Sequence, residues 1–314
     1  MIKRIAAWAL VFLASALAAS VLIFLVLSVL PGDPARVALG FGATDQSVAA
    51  LRTEMGLDRS TAVQYLSWVG GVLHGDFGRS LSSKLPIGPV LLDRFTVTLW
   101  LVIGGIGVAL VLAVPLGMLA AVRHRRLSGV LISGISQVGV AVPAFLAGIL
   151  LIAVVSMRWN LLPPNGYTVP ALDVGGFVRH MILPWLALGI VQGAVLTRYV
   201  RSAVLDELGQ DYLRTARSKG LRPMPALMRH GLRNAAIPVV TVLGVQLVTL
   251  MIGAVVIERV FVIPGVGSML TDGVSNRDLT TVRGIVLVLV LFALAVSFLV
   301  DLAYTFIDPR LRAG

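Results

Sequence analysis

Side chains able to carry bond chemistry are few and scattered along the chain. None of the three lysines, Lys3, Lys84 and Lys219, follows a glycine, so there is no Gly-x-x-x-x-Gly-Lys-Ser/Thr loop to cradle nucleotide phosphates. ATP, if it is used, is hydrolysed by another polypeptide. His74, His124, His180 and His230 do not form a His-Glu-x-x-His pair, no Gly-x-Ser-x-Gly occurs, and cysteine is absent. Zinc hydrolysis, serine-elbow catalysis, thiol chemistry and disulfides are therefore unsupported.

Ionisable groups inside apolar stretches would point to proton- or ion-coupled transport. Here they are nearly missing: Asp301 lies near the end of the last stretch, and Glu258 and Arg259 lie at the edge of another. Uncharged polar groups do occur at depth: Ser133, Ser136, Gln137, Gln192, Thr197, Thr241, Gln246 and Thr249. They either line a hydrated pathway or bond between helices and back onto their own turns. Gly189 and Gly193, four apart, read as a close-packing helix face.

The elements carrying these groups are apolar spans. Charged residues make up 13% of the chain, about half the share usual in soluble domains, and mean hydropathy is +0.93. A helix crossing hydrocarbon needs about 20 residues at about 1.5 Å each. Uncharged runs at 5–30, 95–122, 127–157, 181–197, 235–257 and 284–300 give six candidates. The first run has 26 uncharged residues, beyond a signal-peptide core of about 7–15, and is expected to remain as a span. Pro115 and Pro143 fall inside runs and are expected to kink them.

Lysine and arginine favour the cytoplasmic side. With the N-terminus inside, segments 1–4, 123–126, 198–234 and 308–314 carry a net charge of +11, whereas 31–94, 158–180 and 258–283 carry +1. Both termini are then cytoplasmic. The high pI reflects topology and anionic lipid; no aromatic-interleaved basic patch suggests nucleic acid. Three regions follow: a first transmembrane helix (1–30), an extracytoplasmic helical cap (31–94), and a five-helix core (95–314) with a cytoplasmic excursion at 201–234. In the cap, Leu51, Met55 and Leu57, then Val63, Leu66, Val69 and Val72, suggest helices. In the excursion, Leu205, Leu208, Tyr212 and Ala216 fall on one face of an expected amphipathic helix, with Gly220 a stop and Pro223 a new start.

A string of ordered motifs runs from end to end: 30–35 (LPGDPA), 55–58 (MGLD), 73–78 (LHGDFG), 142–145 (VPAF), 162–166 (LPPNG), 212–220 (YLRTARSKG), 232–238 (LRNAAIP), 258–261 (ERVF), 264–267 (PGVG) and 308–310 (DPR). It resembles the permease subunit of the bacterial dipeptide/oligopeptide ABC importers. The resemblance implies an all-α polytopic membrane protein with about six transmembrane helices and the type I ABC importer permease fold. It also implies a bacterial inner-membrane location and a heterodimer with a homologous permease. Two partner ATPase domains would bind ATP and Mg, and an extracytoplasmic substrate-binding protein would deliver short peptides.

The 212–220 stretch resembles the family's coupling motif, Glu-Ala-Ala-x-x-x-Gly, with Thr215-Ala216-Arg217 in place of the triplet and Gly220 at matching spacing. The proline expected ten or so residues later arrives only at Pro238. Coupling residues carried over are Tyr212, Arg214, Thr215, Ala216, Lys219, Gly220, Arg233 and Asn234; small residues there suit close approach to a partner. Ser133, Gln137, Gln192, Thr241, Gln246 and Thr249 are the pathway candidates, and no metal site or resident cofactor is expected. A nickel or glutathione permease of the same family is the alternative, and a self-sufficient channel or carrier a remoter one.

Overall fold

Backbone in hydrocarbon finds no water, so spans of this composition must satisfy their N–H and C=O groups along a helix. The computed structural model describes residues 2–29 and 33–307, and among these the only β pairing is an isolated bridge between Arg79 and Pro86. The α-helices are α1 (Ile2–Val29), α2 (Pro34–Leu39), α3 (Asp45–Glu54), α4 (Thr61–Leu73), α5 (Ile87–Val122), α6 (Leu127–Ala141), α7 (Ala144–Leu151), α8 (Val174–Leu208), α9 (Asp211–Ser218), α10 (Pro223–Ala226), α11 (Leu232–Phe261), α12 (Val266–Ser275) and α13 (Leu279–Ile307). Residues 30–32 of the first motif, and the 308–310 motif with the C-terminal segment, lie outside the described residues.

Among the described residues, five helices are long and apolar enough to cross a membrane, or six if the bent pair α6 and α7 counts as one span. The third expected span, 127–157, is thus not one rod: α6 and α7 meet at 98°. Pro143 lacks an N–H and drives Val142 to an extended φ of −82° and ψ of 122°, the conformation a residue before proline prefers. Beyond α7 the chain widens into a π-helix over Ile152–Arg158. Pro115, in contrast, sits inside the unbroken helix α5. The fourth span is longer than its uncharged run, because α8 takes in Arg179, Arg198 and Arg201. Exposed apolar side chains on α1, such as Leu10, Val11, Leu13 and Leu17, suit lipid as the solvent.

The chain forms two compact units. The core unit is built on Thr98–Ile263 with the end of α13; the second unit, Ala6–Val97 with Pro264–Ala295, is named the cap unit for the 31–94 segment it contains, although it extends beyond those expected bounds to α1 and much of α13. In the core, α8 packs on α5 through small residues. A Cβ on Gly104 would lie 2.0 Å from the Trp185 Nε1, one on Gly189 would lie 2.4 Å from Val108, and one on Gly117 would lie 2.7 Å from Val200. The face containing Gly189 and Gly193 is therefore a packing face, as its spacing predicts. Trp185 donates its indole N–H to the Trp100 carbonyl at 3.0 Å. Ala109, Ala113 and Leu196 form a buried cluster, covered by Val242 and Leu243 of α11.

In the cap, Ile87, Leu91, Val266 and Ile285 form the buried cluster. Helix α4 carries the expected pattern Val63, Leu66, Val69 and Val72, whereas α3 holds only Leu51 of the first pattern, because it ends at Glu54 and Met55 and Leu57 lie in the turn that follows. Thr44 and Ser47 close a capping box at the start of α3, which satisfies donors that a first turn leaves free.

Candidate functional site

The excursion between α8 and α11 is not the single amphipathic helix its pattern suggests. Gly209 ends α8 and Gln210 takes an extended ψ of 145°. That break resets the helical phase, so Leu205 and Leu208 on α8 do not share a face with Tyr212 and Ala216 on α9. Leu213 is instead the fully buried residue of α9, while Tyr212 is 41% exposed.

The end of α9 follows from local chemistry. The Gly220 N–H donates to the Arg217 carbonyl at 3.0 Å and the Leu221 N–H to the Ala216 carbonyl at 3.3 Å, a pair that closes a Schellman stop. That stop needs a left-handed residue, and Gly220 has φ of +92° with nothing in this chain within 4 Å of a Cβ placed on it. Backbone conformation, not crowding within the chain, sets the requirement. Pro223 then begins α10 and a π-helix over Leu227–Gly231 leads into α11.

Asn234 ties the excursion together. Its side-chain amide donates to Glu207 Oε1 and to the Tyr212 hydroxyl, each at 3.2 Å. One residue on α11 thereby contacts the end of α8 and the start of α9, bringing two of the expected coupling residues into contact. Arg214 pairs with Asp211 at 3.5 Å and the Thr215 hydroxyl bonds back to the Asp211 carbonyl at 3.0 Å. Both are local and exposed, and an ion pair of this kind contributes about 0.3–0.5 kcal/mol. Lys219 and Arg233 are exposed. Arg214, Arg217, Ser218, Leu221 and Pro223 line an open surface recess.

The pathway candidates divide. The Gln192 amide on α8 donates to Gln246 Oε1 on α11, both nearly buried. Ser133, Thr241 and Thr249 bond back to the carbonyls of Gly129, Ile237 and Val245. Ser136 and Thr197 do the same, while Gln137 is exposed. The two glutamines thus stand apart as a bridge between spans.

Three features had no usable signal in spacing. Glu258 is fully buried, accepting a hydrogen bond from the Thr98 hydroxyl at 2.5 Å. Asp278 is 2% exposed and accepts from the hydroxyls of Ser80 at 2.5 Å, Thr281 at 2.8 Å and Ser82 at 3.4 Å, and from the Thr281 amide at 3.2 Å. Burial alone would raise its pKa, but hydrogen bonds from Ser80, Leu81 and Thr281 outweigh it and hold the carboxyl below its ordinary value. Arg283 lies over the Phe24 ring at 4.5 Å and the Trp68 ring at 5.6 Å. Among the described residues, no group of three His, Cys, Asp or Glu side chains could hold a metal ion.

An all-helical set of apolar spans with a capped, charged excursion between two of them defines a multi-pass membrane protein of the transport type. The chain belongs to the binding-protein-dependent transport system inner membrane component family, whose description matches residues 113–313, with the corresponding N-terminal family matching residues 1–102. It is 37% identical over 317 residues to the dipeptide transport system permease protein DppB of Escherichia coli (strain K12), covering 93% of this chain and 94% of that one. A putative peptide permease of Brucella suis biovar 1 is 38% identical over 301 residues, covering 94% of each chain. The glutathione transport system permease protein GsiC of Salmonella typhimurium is 38% identical over 293 residues, covering 93% of each. A solved structure of the MetNI methionine ABC transporter in inward-facing conformations shares the fold, with a TM-score of 0.57 at 17% identity over 70% of this chain and 96% of that one.

Proposed function

We propose that this permease moves short peptides across the bacterial inner membrane as half of a heterodimer with a homologous permease. A substrate-binding protein delivers the cargo outside, and two ATPase domains that bind ATP and Mg dock on the excursion inside. The observation carrying this reading is the Asn234 tie. A partner pushing on α9 acts directly on the ends of two spans, whereas a surface helix lying in lipid has no need of such a link. Both termini and the excursion are cytoplasmic in this reading, because net positive charge gathers in those segments.

The uncharged polar residues at depth, among them the exposed Gln137, suit a pathway that hydrates cargo without holding it. A peptide has a constant backbone and variable side chains, and release requires weak binding in the inward-facing state. Glutathione is the second reading, favoured by the likeness to GsiC. Uptake of labelled di-, tri- and tetrapeptides, glutathione and nickel in cells lacking the gene tests the cargo. Loss of peptide uptake is expected. Intact peptide uptake with lost glutathione or nickel uptake would move the cargo and leave the importer architecture standing.

A further inference from the structure

The cap unit contains a charged cavity of about 480 Å³, lined by Phe24 and Trp68, by apolar Leu51, Met55 and Val63, and by Arg283. Its other charged lining residues are Arg59, Arg79, Lys84 and Glu54, so cations outnumber carboxylates by four to one. Arg283 is the unusual member. Its guanidinium is stacked against the faces of Phe24 and Trp68, and its Nε is buried without a hydrogen-bond partner. Among the described residues no carboxylate pairs with it, whereas Arg36 pairs with Asp45 and Arg52 with Asp33.

Stacked rings hold a guanidinium in place without accepting from its in-plane edge, and the Nε buried there without an acceptor is a costly donor to leave unmet. A carboxylate is the group whose two oxygens match that planar edge. The cavity is several times larger than one carboxylate, falls within the size range of small-molecule sites, and has the apolar and aromatic lining typical of them. We propose that it is a second ligand site, one that takes a small organic carboxylate with an apolar tail, such as the C-terminal end of a free dipeptide. Arg283 receives the carboxylate, Arg79 and Lys84 supply positive field, and Leu51, Met55 and Val63 cover the tail. The site is independent of the translocation reading, because it requires only this chain.

The test is calorimetric titration of the purified full chain in lipid nanodiscs with alanyl-phenylalanine and with its C-terminal amide. Saturable binding of the acid is expected, weakened at least tenfold for the amide and at least tenfold by Arg283→Gln. Arg79→Gln, at the exposed rim, should weaken it severalfold and serves as the second probe if Arg283→Gln does not fold. No saturable binding of the acid would overturn the proposal and leave the cavity to an acidic side chain of a docked protein. Equal binding of acid and amide, or unchanged affinity in the folded variants, would overturn it as well. Peptide uptake by cells is not the readout, so failure here leaves the importer assignment untouched.

Discussion

The core and cap units solve the same packing problem with opposite materials. In the core, α5 and α8 approach through glycine and alanine, and the polar groups they carry mostly turn back onto their own helices. In the cap, hydroxyls converge on Asp278 and aromatic rings hold Arg283. Lipid offers no hydrophobic force between helices, so close contact and dispersion must supply cohesion in the core. Outside its two spans, α1 and α13, the cap unit can bury charge wherever neighbours supply enough hydrogen bonds. The core is therefore sensitive to volume, and the cap to protonation and lost partners.

The largest effect should come from filling the core interface. Gly189→Leu drives side-chain atoms into Val108 and the Gly105 carbonyl, which would lie 2.4 Å and 3.0 Å from the first added carbon. The expected cost is ~3 kcal/mol or more, seen as loss of the monodisperse peak in detergent gel filtration. Gly134→Leu, where nothing lies within 4 Å, should be nearly silent. Equal behaviour of the two variants would break the contrast.

In the cap, Asp278→Ala removes the acceptor of three hydroxyls and should cost about 1–3 kcal/mol, read as a lower Tm of the purified chain. The sign of the pH dependence follows from the lowered pKa. The ionised carboxylate stabilises fully above the unfolded pKa of about 3.9, and its contribution is lost as pH falls through the lower folded value. Asp278→Asn should flatten that acid limb of the Tm profile, while Gly134→Leu should leave it in place.

The smallest effect should be at the α9 stop. At φ of +92°, Gly220→Ala costs about 1 kcal/mol and Gly220→Asn less, since asparagine tolerates left-handed backbone. Circular dichroism should barely change, but peptide-stimulated ATPase of the assembled importer should fall in the order Gly, Asn, Ala. A larger loss with Asn than with Ala would show that side-chain volume at a partner surface matters more than backbone conformation.

Much of this architecture was legible because lipid imposes simple rules: long uncharged runs became helices, Pro143 broke its span, and Gly189 with Gly193 packed closely. The excursion was only half legible. Gly220 and Pro223 marked its punctuation, but the break at Gly209 and Gln210 has no strong signal, and a pattern of apolar residues reads straight through it. The polar residues at depth were legible as a set, but the bond between Gln192 and Gln246 was not. Which glutamine meets which depends on the crossing of α8 and α11, and spacing within one helix carries no information about another. Asp278 and Arg283 looked like ordinary loop charges because their partners lie far away in sequence.

The central claim is that the excursion transmits motion to the spans through Asn234. The direct measurement is ATPase activity of the reconstituted importer, with and without peptide-loaded binding protein, for wild type and Asn234→Ala. Removing the amide frees Glu207 and Tyr212 from α11. The expected result is an assembled complex whose unstimulated hydrolysis remains and whose stimulation falls at least fivefold. Full stimulation in an assembled Asn234→Ala complex would contradict the account.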